Sequence, residues 1–182
     1  MTDLVTLFPR QPVPTLAVKL AGGGNFNLAA ETPRTFTLVV FYRGLHCPIC
    51  KSQLKELEVK LDDFEARGIT VVAISSDTAE RAQEAKSTWG LAQLRLGYGL
   101  DLATARRWGL FVSAGREKHS GGIEEPARFS EPALYLIRPD GTLYFGSVQT
   151  MPFARPHFAD ILSAIDYVVK TDYPARGEVV SV

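Results

Sequence analysis

The residues best placed for chemistry are Cys47 and Cys50, the only two cysteines of the chain. They sit in one short run from Phe41 to Leu57, which contains Arg43-Gly44-Leu45-His46-Cys47-Pro48-Ile49-Cys50. A dithiol at this spacing can alternate between two thiols and one disulfide. Pro48 suits the first turn of a helix, where its missing N–H costs nothing. Cys47 then falls at or near the N-cap, where unpaired backbone N–H groups and the positive end of the helix dipole face its sulfur. That field favours thiolate, the reactive species. His46 pushes the same way when protonated. Cys50 lies on the same face of the first turn, with its Cα within disulfide reach. A zinc site needs about four ligands. There is no second cysteine pair, and His46, His119 and His157 lack ligand spacing. No metal and no organic cofactor is therefore expected.

The elements around this pair follow from the pattern of apolar residues. Thr35–Tyr42 is a continuous apolar and β-branched run and reads as a buried strand. Leu54, Leu57, Leu61 and Phe64 line one face of a helix that follows Cys47 and extends to about Arg67, with Gly68 placed to end it. Ile69–Ser75 is a second buried strand, so a parallel crossover unit is expected. Asp77 with Glu80 reads as a capping box for a helix to Thr88. Leu94–Leu96 is a short apolar piece. Asp101 caps a helix through Trp108, stopped by Gly109.

Two hairpins flank this core. The first has strands near Leu16–Leu20 and Phe26–Ala30 about Gly22-Gly23-Gly24-Asn25. The glycine run lacks the Lys-Ser/Thr ending of a phosphate cradle. The second joins Ala133–Ile137 to Thr142–Val148 through Arg138-Pro139-Asp140-Gly141, a strong turn signal. A final helix from about His157 to Lys170 carries Phe158, Ile161, Leu162, Ile165, Val168 and Val169 as an apolar stripe. Phe111–Glu131 has no sustained periodicity and reads as a long loop, either bordering the active site or inserted at the surface.

Length and composition bound the rest. The 182 residues suit a single domain, 1–182, with an extended arm at 1–14 and a loosely held polar tail at 172–182. With 46% hydrophobic residues there is material for a sizeable core. Twenty basic residues balance twenty acidic ones. Nothing electrostatic then calls for a nucleic acid or an anionic membrane as partner. No apolar run reaches the ~18 residues of a membrane span. Met1–Pro14 lacks the basic and apolar regions of a secretory signal. A CxxC pair in such a chain points to redox work in a reducing compartment, so a cytoplasmic location is expected.

The order of strand, CxxC helix, strand, helix, hairpin and helix resembles the thioredoxin fold. This is an α/β architecture with a central mixed β-sheet flanked by helices, here with an N-terminal β-hairpin extension. Leu38-Val39-Val40-Phe41-Tyr42-Arg43, Ile69–Asp77, Leu100–Leu110 and Leu134–Gly141 together resemble the peroxiredoxin branch, the alkyl hydroperoxide reductase and thiol-specific antioxidant family. The resemblance spans roughly residues 10–170 and extends to a peroxiredoxin-like subgroup with CxxC at this position. It implies Cys47 as the attacking cysteine and Cys50 as the resolving one. A thioredoxin- or glutathione-type reductant, a peroxide or protein disulfide substrate and a possible homodimer are also implied.

The departures from the family pattern are specific. Peroxiredoxins carry Thr or Ser where Gly44 stands and Pro where Val40 stands. They carry an Arg at the start of the strand after the long loop, where this chain has Pro132. That hydroxyl and that guanidinium hold the peroxide and stabilise its breaking O–O bond. Arg43 and Arg128 are the candidates to replace the arginine. Pro132 instead fits thioredoxin-like oxidoreductases, in which a cis proline before this strand faces the CxxC motif. A cis Glu131–Pro132 bond lining the groove is therefore expected.

Three functions follow. One is a thiol-disulfide oxidoreductase, with Cys47 attacking, Cys50 resolving, and Arg43, Gly44, His46, Pro48 and Pro132 shaping the site or tuning the thiolate. The second is a dedicated thiol peroxidase. The third is a redox-sensing module that forms the disulfide without turnover.

Overall fold

The structure is a computed structural model that describes residues 5–116 and 122–181. Strand β1 (Ala17–Leu20) and strand β2 (Asn25–Asn27) form the expected N-terminal hairpin. A single 3-10 turn at Leu28–Ala30 replaces the end of the anticipated second strand. Then follow β3 (Phe36–Phe41), helix α1 (Pro48–Val59), α2 (Leu61–Ala66) and β4 (Ile69–Ile74). Next come α3 (Ala79–Trp89), β5 (Leu96–Tyr98) and α4 (Leu102–Arg107). The chain ends with β6 (Val112–Ala114), β7 (Arg128–Ser130), β8 (Ala133–Ile137), β9 (Leu143–Val148) and α5 (Phe158–Thr171).

Seven strands form one mixed sheet in the order β2-β1-β5-β4-β3-β8-β9. β3 pairs parallel with β4 and antiparallel with β8. Every residue of β3 is buried, because each face of the strand has its own cover. Leu38 and Val40, with Tyr42 just beyond, pack in the layer that holds Cys47, Cys50, Leu54, Leu57, Phe64 and Phe158. Val39 and Phe41 pack in the opposite layer with Leu100, Trp108 and Tyr135. A strand buried on both faces has no polar alternation. Because β3 is central, its C-terminal end opens onto the cysteine turn, which is how the sheet positions the site.

Several local details differ from the sequence expectation. The helix after Cys47 is broken at Lys60, which adopts φ −100°, ψ 4° and serves as both the end of α1 and the start of α2. Leu57 and Phe64 remain in the core across the break. Gly68 follows in the left-handed conformation, φ +74°, as a helix terminator should. Thr78, not Asp77, caps α3, its side chain accepting the Arg81 N–H at 3.4 Å. The Asp77 carboxylate is engaged elsewhere, at the cysteine turn. In α5 the stripe ends early: Phe158, Ile161, Leu162 and Ile165 are buried, whereas Val169 is exposed.

Phe111–Glu131 is not simply a loop. β6 and β7 pair antiparallel within it, Ser113 opposite Phe129. His119 and Gly121 lie outside the described residues.

The two ends of the described chain are tied to the sheet and to each other. Arg10 N–H donates to the Leu143 carbonyl at 2.8 Å, and Pro12 bridges Thr142. The tail is held more firmly than its polar composition suggests. Tyr144 Oη donates to the Tyr173 carbonyl at 2.9 Å, Arg10 Nε donates to the Ala175 carbonyl at 3.0 Å, and Ala175 is buried. The arginine that makes this tie comes from the opposite end of the chain, so composition of the tail could not reveal it.

Candidate active site

Cys47 is the N-cap of α1 and Pro48 its first residue. The Cys47 Sγ accepts the Cys50 backbone N–H at 3.2 Å. That amide is one of the unpaired donors every helix N-terminus must satisfy, and sulfur takes the place of the usual cap oxygen. Both cysteines are buried free thiols, not bonded to each other. Cys50 lies deeper, with its Sγ accepting the Arg43 backbone N–H at 3.4 Å.

The turn that delivers Cys47 is built on Gly44 and Asp77. Gly44 has φ +133°, a conformation L side chains rarely adopt. A Cβ there would lie 2.6 Å from Asp77 Oδ2. The same oxygen accepts the Leu45 N–H at 2.7 Å, and Oδ1 pairs with Arg81 Nε at 2.9 Å. Asp77 is buried, so the turn rests on a charge-assisted bond screened from water. A side chain at position 44 is excluded by this carboxylate, which accounts for the glycine where a hydroxyl residue is expected.

One residue of the site carried no signal in the sequence. Arg155, in the segment between β9 and α5, places Nη2 at 3.2 Å from Cys50 Sγ and 3.8 Å from Cys47 Sγ. Its Nη1 donates to Gln53 Oε1 of α1, and its Nε donates to the Pro152 carbonyl at 2.8 Å. Residue 155 lies 108 positions from Cys47 in an irregular stretch, and only tertiary structure brings them together. Arg43 and Arg128 do not take this position. The Arg43 guanidinium lies over the Phe129 ring, 4.7 Å from its centroid, with Nε 3.3 Å from Glu131. Arg128 sits on β7 with an exposed side chain.

The electrostatics separate the two thiols. The Cys47 pKa is lowered to about 6, first by the hydrogen bond from the Cys50 thiol, then by the Cys50 amide and the nearby Arg155 and Arg43 charges, against the opposing effect of burial. Burial pushes the Cys50 thiol well up, and the adjacent Cys47 sulfur pushes it further. Near neutral pH the pair is a thiolate at Cys47 hydrogen-bonded by a thiol at Cys50. His46 does not contribute as expected. Burial lowers its pKa to about 4, and Arg43 adds to the effect, so the ring is neutral. It packs against Phe129 with centroids 4.6 Å apart, and neither ring nitrogen has a hydrogen-bond partner among the described residues.

A cleft of about 300 Å³ opens over Cys47, bordered by Arg43, Pro48, Ser113, Glu125, Glu131 and Phe153 among others. The 111–131 stretch therefore borders the site. Pro132 does not line this cleft. The Glu131–Pro132 bond is trans, for no peptide among the described residues is cis, and Pro132 instead uses its carbonyl to accept the Gln149 N–H at 3.0 Å, one residue beyond the β8–β9 ladder. Its neighbour Glu131 faces the cleft, with Oε1 accepting the Ser113 hydroxyl proton and Oε2 beside Arg43.

A parallel crossover flanking a CxxC helix, completed by an antiparallel hairpin and a last helix, defines the thioredoxin-like fold. The AhpC/TSA family model matches residues 9–145, and the chain belongs to that family, whose members are thiol-dependent oxidoreductases of the peroxiredoxin type. Among solved structures it is similar to a reduced 2-Cys peroxiredoxin from Plasmodium vivax, with TM-score 0.72 and 17% identity over 97% of this chain and 92% of that one. It is also similar to AhpC of Enterococcus faecalis, with TM-score 0.71 and 13% identity over 92% and 98%. Peroxidoxin BcpB of Mycobacterium tuberculosis gives TM-score 0.69 and 14% identity over 90% and 99%. At these identities the likeness is one of fold. No curated protein matches the chain.

Proposed function

We propose that the protein is a thiol peroxidase in which Cys47 is peroxidatic and Cys50 resolving. The Cys47 thiolate attacks one oxygen of a peroxide. The O–O bond breaks, Cys47 becomes a sulfenic acid, and the other oxygen leaves as an alcohol or water after taking a proton. The Cys50 thiol then attacks the sulfenic sulfur, forming the disulfide and releasing water. An external dithiol of the thioredoxin or glutathione type restores both thiols by exchange. The couple needs a reducing compartment, and the cytoplasm suits it.

The observation that carries this reading is Arg155, whose guanidinium reaches both sulfurs. A cation there favours the thiolate and can stabilise the oxygen that leaves with negative charge. The substituent comes from a different part of the chain than the family's arginine. A trans Pro132 outside the cleft removes the feature that pointed to a thioredoxin-style docking groove.

Disulfide reduction is the second reading. Ile49, Met151 and Phe153 are exposed at the rim of the cleft and offer an apolar surface to a protein substrate. The two readings part in stopped-flow oxidation of the reduced protein by hydrogen peroxide. The reporter is Trp89, whose ring lies 6.3 Å from that of Tyr42 in the cysteine layer. A second-order rate far above that of a free thiol is expected. A rate no faster than a free thiol refutes the peroxidase and leaves disulfide exchange.

A further inference from the structure

A second cavity, of about 330 Å³, lies across the start of α1 from the Cys47 cleft. Among the described residues, only Pro48 borders both, and neither cysteine borders the second. His46 forms its inner wall, with the residue 1% exposed. Leu45, Trp89 and Ile123 give it apolar sides. Lys51 of α1 and Glu84 of α3 border it with exposed side chains.

The polar groups of this cavity lack partners. Neither nitrogen of His46 is hydrogen-bonded among the described residues. Buried polar groups in folded proteins are nearly always paired, so an imidazole left in this way calls for a partner of its own. The ring is neutral, because burial and the charges of Arg43, Arg81 and Arg116 outweigh that of Glu125. A neutral imidazole carries one N–H donor and one bare nitrogen that accepts. Lys51 and Glu84 repeat this pairing as full charges. Neither makes an ion pair among the described residues, with the other or with a third side chain.

We propose that this cavity is a binding site for a free α-amino acid with an apolar side chain. The ligand carboxylate meets Lys51 and the His46 N–H. The ligand ammonium meets Glu84 and the bare His46 nitrogen. The apolar side chain lies against Leu45, Trp89 and Ile123. An anion alone faces Glu84 and a cation alone faces Lys51, so each is repelled by one of the two, and a zwitterion is attracted by both. The occupant is an effector and not a substrate, since neither sulfur borders the cavity. Leu45 and His46 are the two residues before Cys47, and the Leu45 N–H is already held by Asp77 at 2.7 Å. A ligand seated against both residues braces the turn that carries Cys47.

Calorimetric titration of the full chain with four probes tests this. The probes are L-leucine, leucinamide, N-acetyl-L-leucine and S-methylglutathione. The second lacks the carboxylate and the third lacks the ammonium. The fourth carries the same pair of α-charges on a polar γ-glutamyl peptide. L-Leucine should bind about tenfold or more tightly than each of the other three, because each loses a charge-assisted bond or the apolar contact. Lys51→Met and Glu84→Gln change exposed side chains, and each should weaken L-leucine by about tenfold. His46→Leu should abolish binding. Trp89 fluorescence should change on saturation, whereas in Trp89→Phe the signal of Trp108, in the opposite layer, should not. With L-leucine bound, amides in 44–47 should exchange hydrogen several-fold more slowly. No binding of L-leucine, equal binding of leucinamide or N-acetyl-L-leucine, or undiminished binding in any of the three site variants overturns the site. Tighter binding of S-methylglutathione overturns the free amino acid in favour of a γ-glutamyl peptide. Unchanged exchange at 44–47 overturns the bracing of the turn.

Discussion

Replacing Arg155 by Gln tests the electrostatic account of Cys47 most directly. The guanidinium Nη2 stands 3.8 Å from Cys47 Sγ. Two unit charges about 4 Å apart interact by about 4 kcal/mol at an effective dielectric of about 20. That is a ceiling of roughly 3 pKa units at about 1.4 kcal/mol per unit. Arg155 is half-buried and shares its donors with Cys50 and Gln53, so solvent screening and the remaining helix contacts reduce the effect. A shift of about 1 unit or slightly more is the working figure. The wild-type Cys47 pKa of about 6 then moves to about 7 in Arg155→Gln. The assay is the rate of iodoacetamide alkylation between pH 5 and pH 9. Cys50 stays silent in it, because its thiol is buried and its pKa is pushed well up. At pH 6 the variant should react about five- to tenfold more slowly, and at pH 9 the two rates should converge. Arg155→Lys should fall between them. A midpoint unchanged by Arg155→Gln would mean that the Cys50 thiol and the helix N-terminus hold the thiolate without help, and the role given to Arg155 would be wrong.

Gly44→Thr, which restores the residue type of the resembled family, should destabilise the protein by about 2 kcal/mol or more, measured by urea unfolding. The cause is the combination of φ +133° with a Cβ 2.6 Å from the Asp77 carboxylate, so an unchanged midpoint would contradict the packing described. His46 gives a pH signature. Its folded pKa of about 4 lies below the ordinary value of 6.5, so the unfolded chain takes up this proton first. The contribution is complete above pH 6.5 and is lost as pH falls toward 4, below which it levels. Urea midpoints of wild type should therefore drop relative to His46→Leu across that window, and a constant difference between the two would remove the buried neutral histidine from the account.

Much of the frame was legible because its signals are local. The continuous apolar and β-branched run at Phe36–Phe41 signalled a strand covered on both faces, and the Asp140-Gly141 turn signalled a hairpin. Pro48 after Cys47 marked the helix start, and Cys47 does cap it. The misreadings have equally physical origins. Asp77 looks like a cap because a carboxylate before a helix usually serves its own helix, yet here it bonds the Leu45 N–H, 32 positions away. His46 looks like a thiolate-tuning cation because proximity in sequence hides burial against Phe129, which keeps the ring neutral. Pro132 looks like a groove residue because it precedes a strand, and in the folded chain its carbonyl bonds one residue beyond the β8–β9 ladder.

By itself the sequence determined the fold class, the family and the one cysteine pair able to form a redox couple, since strand, helix and turn signals and a three-residue spacing are properties of neighbours along the chain. What the tertiary structure alone decided is the environment of that pair. The Cys50 hydrogen bonds, a guanidinium from position 155 and the depth of each thiol set which sulfur ionises, while a carboxylate from position 77 holds the turn that carries Cys47, and these meet only when the sheet and α5 have packed. Charge and burial act through space, and no local pattern encodes them.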